Sequence, residues 1–226
     1  AGLPPDVKLT VNAMEVLKKR YLLRDSAGKA VETPHEMFAR VARAVAAPER
    51  GFGKDPKAAE KEFLRVMEGL EFLPNSPTLF NAGTALGQLS ACFVLPIEDS
   101  LESIFTALKQ MATIEQSGGG VGFSFSKLRP RGDVVRSTHG VASGPVSFMR
   151  TFDTATDVIK AGGRRRGAMM GVLRVDHPDI VEFIEAKAEK DRFSNFNLSI
   201  GITDKFMDAV RGGKKFNLIN PRTKKI

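Results

Sequence analysis

Apolar positions in the first seventy residues recur at helical spacing. In "VNAMEVLKKRYLL" (11–23) apolar side chains return every three or four residues, which predicts an amphipathic helix. "TPHEMFARVARAVAA" (33–47) adds start signals: Thr33 as N-cap, Pro34 at the first helical position and Glu36 three residues after the cap. "DPKAAEKEFLRVMEGL" (55–70) repeats the arrangement with Asp55, Pro56 and a Gly69 near its end. Together they predict a helical packing domain over 1–72, with "APERGFGKD" as an internal loop.

Beyond Leu70 the pattern changes. "LPNSPTLFNAGTALGQLSA" (73–91) is turn-rich and irregular, and a loop of that length is uncommon without a task. From Cys92 onward short β-like runs alternate with helical ones. "CFVLPI" reads as a strand and 99–116 as a helix capped by Asp99 or Ser100; 121–128 is again strand-like and 144–163 helical. The series continues with a strand over 167–175, a helix over 177–190, a strand over 196–202, a helix over 203–213 and a new strand starting in "KKFNLIN". Such alternation predicts an α/β sheet or barrel over 73–226, with parallel strands joined by helical crossovers. A barrel stopping at "NPRTKKI" would be open, so the chain reads as part of a longer protein.

Composition narrows the function classes. With 42% hydrophobic and 27% charged residues the chain is ordinary globular protein. It has no run of eighteen apolar residues, and "AGLPPDVKLT" lacks the pattern of a signal peptide, so a cytoplasmic protein without membrane contact is expected. A single cysteine excludes an internal disulfide framework and points to a reducing compartment. Part of the net charge of +8 sits in "KLRPRGDVVR" (127–136) and "GGRRRG" (162–167), both among glycines. Aromatic residues are mostly Phe in apolar patterns, with one Tyr and no Trp, which argues against a base-stacking platform. Phosphate on a small molecule fits better, and no direct nucleic-acid contact is expected.

Candidate chemistry is concentrated in loops. "QSGGGVGFSFS" (116–126) runs from a helix end into a strand and is neither a P-loop nor a dinucleotide fingerprint. One glycine suffices for a helix C-cap, so the excess points to close ligand approach. "KAGGRRRGAMM" (160–170) sets three arginines on a glycine-flanked loop, suited to bidentate phosphate contacts. "RPRGDVVRSTHGVASG" (129–144) is a second such loop, in which the RGD tripeptide reads as accidental. His35, His139 and His177 lie too far apart for metal-ligand spacing. Pattern alone reads Cys92 as a small hydrophobe on a buried strand, since no second thiol exists to pair with it.

Taken together, "PNSPTLFNAGT", "LSACFVLPIEDSLESIFTALKQ", "SGGGVGFSFSKLRPRG", "GGRRRGAMMGVLRVDHPDIVEFIEAK" and "NFNLSIGITDKFM" resemble the catalytic subunit of ribonucleotide reductases. The likeness runs from about Leu73 to Met207 and is greatest to the adenosylcobalamin-dependent class II enzymes. The resemblance implies an N-terminal helical domain followed by the first half of a ten-stranded α/β barrel. It implies thiyl-radical reduction of ribonucleotides to 2′-deoxyribonucleotides for DNA synthesis and repair, with Cys92 as one of two redox thiols. Ser76, Ala91, Gly118 and Gly119 match substrate-side positions. Asp99 and Arg129 match effector-reading positions, and the loops 136–144 and 161–167, with Ser137, Gly163, Arg165 and Arg166, match the two specificity loops. Adenosylcobalamin as cofactor, a dNTP or ATP effector, a thioredoxin-like reductant and a homodimer through helices 99–116 and 144–161 are implied likewise.

The chain departs from the family pattern by lacking the "NPCGE"-type segment with the radical cysteine and catalytic Glu, as well as the partner redox cysteine. Alone it is therefore expected to be inactive. Diphosphate and triphosphate substrates, and class I as against class II, stay open at this stage. A non-catalytic nucleotide-binding module would differ in what the downstream reading frame encodes. An RNA-binding α/β domain would show strongly salt-dependent binding to single strands.

Overall fold

In a computed structural model describing residues 7–135, 139–159, 167–189 and 191–226, most helices begin where capping side chains stand. Thr10 caps α1 (Val11–Arg20) by accepting from the Ala13 amide. Thr33 and Glu36 form a reciprocal capping box at α2 (Pro34–Ala46), and Asp55 caps α3 (Pro56–Glu68) through the Lys57 amide. The predicted loop after α2 is a 3-10 helix, Ala47–Phe52, closed by Gly53 in the left-handed region. Inside the stretch whose pattern is irregular, Asn75 caps a short helix α4 (Ser76–Asn81), which the sequence pattern does not predict. At six residues it is too brief for periodicity to show.

Two compact units result, Ala1–Ala91 and Cys92–Ile226, so the boundary lies about twenty residues beyond the 72/73 expected from the sequence. The physical reason is α4. Its Leu79, with Ala82, joins Met37, Phe38, Val41, Ala42 and Met67 in the core of the first unit. Arg40 on α2 donates to the carbonyls of Leu79 (3.1 Å) and Ala82 (2.5 Å), groups that a helix end otherwise leaves unsatisfied. Glu32 fixes that guanidinium from the other side, at 2.7 and 3.0 Å.

The second unit is α/β, as predicted. Its strands β1 (Cys92–Leu95) and β2 (Gly120–Ser124) flank α5 (Leu101–Gln116) in sequence. A two-stranded antiparallel hairpin, β3 (Val134–Val135) and β4 (Gly140–Val141), precedes α6 (Pro145–Val158). Then come β5 (Met169–Arg174), α7 (Ile180–Glu185), β6 (Phe196–Gly201) and α8 (Asp204–Arg211). The order β1-β2-β5-β6 is parallel throughout and does not close into a barrel. The strand expected in "KKFNLIN" does not form: 214–220 runs without regular structure. The core lies between the sheet and the helices α5 and α6, where Phe123, Phe125, Phe152 and Phe196 meet at edge or tilted angles around Met111 and Met149.

Candidate functional site

Cys92 is the first residue of β1, which lies at one edge of the sheet. The strand is only half buried: Phe93 and Leu95 turn inward, while Cys92 and Val94 are exposed. This corrects the reading of Cys92 as a buried small hydrophobe. An edge strand covered on one side leaves every second side chain in solvent.

In the parallel register Cys92 stands opposite Gly120, so the thiol and the glycine cluster share one end of the sheet. The cluster forms where α5 stops. The amides of Gly118 and Gly119 donate to the carbonyls of Glu115 (2.9 Å) and Ile114 (3.1 Å), and Gly118 has φ +91°, in the region that favours glycine. Gly119 has a different reason. A Cβ there would come within 2.7 Å of Ile114 Cγ2 and 2.8 Å of Phe93 Cε2. The turn can therefore lie flat against the residue that follows the cysteine.

Beneath it, Glu115 is fully buried on the inner face of α5. Thr156 Oγ1 on α6 donates to its carboxyl at 3.0 Å, and burial pushes that carboxyl above its usual range, with the Thr156 hydroxyl opposing. Gly167, just ahead of β5, lies so close that a Cβ would meet Thr156 Cγ2 at 2.2 Å and Glu115 Oε1 at 3.0 Å. Sequence reasoning missed Glu115, although a signal existed. It continues the helical series Ile104, Ala107, Met111, all buried.

At the opposite end of the strands Asp99 and Arg129 meet. The Arg129 amide and Nε both donate to Asp99 Oδ1 at 3.0 Å, and Nε also reaches Oδ2 at 2.9 Å. Ser100, not Asp99, is the N-cap of α5, which leaves the Asp99 carboxylate for this pair. Arg129 Nη1 continues to the Val134 carbonyl on β3 at 3.3 Å. A cleft of about 730 Å³ opens here, with Glu98, Asp99, Lys127, Arg174, Asp176 and Arg222 among its lining. Its charges are largely paired, Lys127 with Glu98 and Arg174 with Asp176.

Two expected groupings are thus formed: Cys92 with the Gly118–Gly119 turn, and Asp99 with Arg129. Ser76 and Ala91 belong to the helical unit, where Ser76 Oγ lies 2.9 Å from the Tyr21 hydroxyl. Ser137, Gly163, Arg165 and Arg166 lie outside the described residues. His177 is structural: it is buried, with Nδ1 accepting from the Asp179 amide and Nε2 donating to the Leu128 carbonyl. His35 pairs with Glu68. No group of three or more His, Cys, Asp or Glu among the described residues could hold a metal ion, and no helix there is long and apolar enough to cross a membrane.

Comparison with known proteins agrees with this layout. Residues 7–87 match the family described as ribonucleotide reductase, all-alpha domain, and residues 90–226 that described as ribonucleotide reductase, barrel domain. Over its whole length the chain is 48% identical to the vitamin B12-dependent ribonucleoside-diphosphate reductase of Thermoplasma acidophilum, of which it covers 37%. It is 53% identical, again over its whole length, to the protein of the same name from Mycobacterium tuberculosis, of which it covers 33%. The ribonucleoside-diphosphate reductase large subunit of Arabidopsis thaliana is 36% identical over 92% of the chain and is covered to 25%. The chain spans about a third of the length of the first two relatives. It belongs to the ribonucleotide reductase large-subunit family and carries sequence of both its all-α and its barrel domains.

Proposed function

We propose that this chain supplies one redox thiol and the effector-reading end of an enzyme that reduces ribonucleotides to 2′-deoxyribonucleotides. The observation that carries the reading is the exposed Cys92 thiol at the edge of β1, opposite Gly120 and beside the Gly118–Gly119 turn. A glycine turn lets a sugar approach the backbone next to a free thiol. In the balanced reaction the C2′–OH bond breaks and its oxygen leaves as water. A C2′–H bond replaces it, and the two electrons come from two thiols that become one disulfide. Cys92 is the thiol held here, and the second belongs to another part of the enzyme. A thioredoxin-like dithiol would return the pair to its reduced state.

The relatives' names support a diphosphate substrate and dependence of the whole protein on vitamin B12. Adenosylcobalamin, when bound, would generate the initiating radical on a cysteine that this chain lacks. No residue of this chain is assigned to hold it. Asp99 and Arg129 form the effector-reading pair, taking a dNTP or ATP together with Ser137, Gly163, Arg165 and Arg166. The helices α5 and α6 provide the homodimer face, and the compartment is the cytoplasm.

The test is Cys92→Ser in the complete reductase. It should abolish multiple turnover with a dithiol reductant while leaving cofactor binding intact. Sustained turnover by the variant would remove Cys92 from the redox pair.

A further inference from the structure

The RGD tripeptide that reads as accidental in the sequence is an anchor in the structure. Arg131 ties the start of the β3–β4 hairpin to α7: its amide donates to Asp179 Oδ2 at 2.8 Å and its Nη2 to Glu182 Oε1 at 2.6 Å. Gly132, at φ +82°, donates its amide to the Ala142 carbonyl at 2.9 Å. Asp133 receives a two-pronged contact from Arg222, eighty-nine residues later: Nε to Oδ2 at 3.0 Å and Nη2 to Oδ1 at 2.5 Å. Asn220 Nδ2 adds a third donor at 3.0 Å. The Asp133 side chain is only 10% exposed, and Arg222, first among these partners, holds its carboxyl far below the usual carboxylate range.

The turn that presents Arg222 is itself held. Asn220 Oδ1 accepts from the amides of Arg222 (2.9 Å) and Thr223 (3.1 Å), and the Ile219 amide donates to the carbonyl of Asp176, in the turn after β5 (2.7 Å). The next residue of the hairpin, Val134, gives its carbonyl to Arg129, the partner of Asp99. Two adjacent hairpin residues therefore join Asp99 and Arg129 to the 219–225 turn. Without Arg222 the mostly buried Asp133 carboxylate keeps the Asn220 side chain and the Val134 amide (2.7 Å) as donors but loses its counter-charge, and the uncompensated charge bears on the backbone at 133–134.

We propose that Asp133 and Arg222 are positioning residues for effector specificity, setting the pose of β3 and, through the Val134 carbonyl, of the Asp99–Arg129 pair. The inference rests on the reading of Asp99 and Arg129 as the effector site. Neither Asp133 nor Arg222 need touch the nucleotide; they act through Arg129. The fork matters more than the charge, because a lysine ammonium cannot engage both carboxylate oxygens in the planar geometry of a guanidinium.

The experiment compares the complete reductase with its Arg222→Gln, Arg222→Lys, Asp133→Asn, Asp133→Asn/Arg222→Gln and Asp99→Ala variants. Each is titrated with dATP, dGTP, dTTP and dCTP by equilibrium dialysis, and turnover is followed with and without them. Arg222→Gln and Asp133→Asn should each weaken effector binding by about tenfold, the scale of an ordinary coupling between sites. The double variant should be no weaker than either single one, because both remove the same interaction. Arg222→Lys should fall between, and effector-free turnover should be retained. Wild-type affinity in both single variants overturns the proposal, as does a parallel loss of effector-free turnover. If Arg222→Gln does not fold, Arg222→Lys decides by the same criterion: weaker effector binding supports the proposal and wild-type affinity overturns it. If Asp99→Ala weakens binding while the Arg222 and Asp133 variants do not, only this inference fails. If Asp99→Ala also binds as wild type, the effector-site reading fails with it.

Discussion

Cys92 stands opposite Gly120 in the parallel register of β1 and β2, so the only thiol in the chain meets the end of the glycine cluster across one strand pair. The residue after the cysteine, Phe93, fills the space that a Gly119 side chain would need. Thiol placement and glycine turn are thus one packing problem.

Gly119→Ala should therefore destabilise the α/β unit by about 1–3 kcal/mol, the usual cost of overpacking a tight contact. Urea unfolding would read it as a lowered midpoint at constant slope. An unchanged midpoint would mean that Ile114 and Phe93 yield without cost and that Gly119 is not required by packing.

Glu115 carries a pH dependence of defined sign. Its folded carboxyl is raised above the ordinary value of 4.5, chiefly by burial, so the folded state holds its proton more tightly than the unfolded one. Stability from this group is then unaffected well below that value and falls as pH rises through it toward the folded pKa. Glu115→Gln should lose this fall, so that its stability relative to wild type increases as pH rises above 4.5. Parallel stability profiles for the two proteins would contradict it.

In the helical unit Arg40 is the member to remove. Its side chain is 13% exposed and that of Glu32 8%, and the guanidinium also satisfies two carbonyls at the end of α4. Arg40→Met leaves the Glu32 carboxylate without its counter-charge, held by the Leu23 amide at 2.9 Å, takes the donor from two carbonyls, and should cost about 3 kcal/mol. Thermal unfolding would check this, with increased amide exchange expected over 76–82. A change within a few tenths of a kcal/mol would show that water replaces the guanidinium freely.

On the proposed effector-reading role, Asp99→Ala in the complete reductase should blur which substrate each effector favours. Arg129 then loses the carboxylate that orients it, and the ratio of preferred to disfavoured substrate should drop by about tenfold. Competition assays with paired substrates under each effector would show it. Retained ratios would take Asp99 out of the effector site.

Much of this was legible in the sequence because it is local. Thr33 with Glu36, Asp55 with Pro56, and the alternation of short strands with helices act within a few residues, and they put α2, α3 and the β/α succession close to where they occur. The same locality explains the misses. Six residues cannot display a helical period, so the sequence pattern of α4 is that of a loop and places the domain boundary early. The segment 214–220 has strand composition, but strand structure needs a partner, and none pairs with it among the described residues.

Sequence by itself determined the alternation of short strands with helices, the caps of α2 and α3 and, through five ordered motifs, the family, since each is carried by short stretches whose chemistry is complete within them. Tertiary structure alone decided that Cys92 is exposed, that Glu115 is buried against Thr156 and that the RGD aspartate is the seat of Arg222. Burial and ion pairing depend on which distant residues share a volume, forty-one apart for Thr156 and Glu115 and eighty-nine for Arg222 and Asp133. No local pattern encodes that proximity. Folding creates it, and with it the settings in which an ordinary cysteine, glutamate or arginine acquires a specific role.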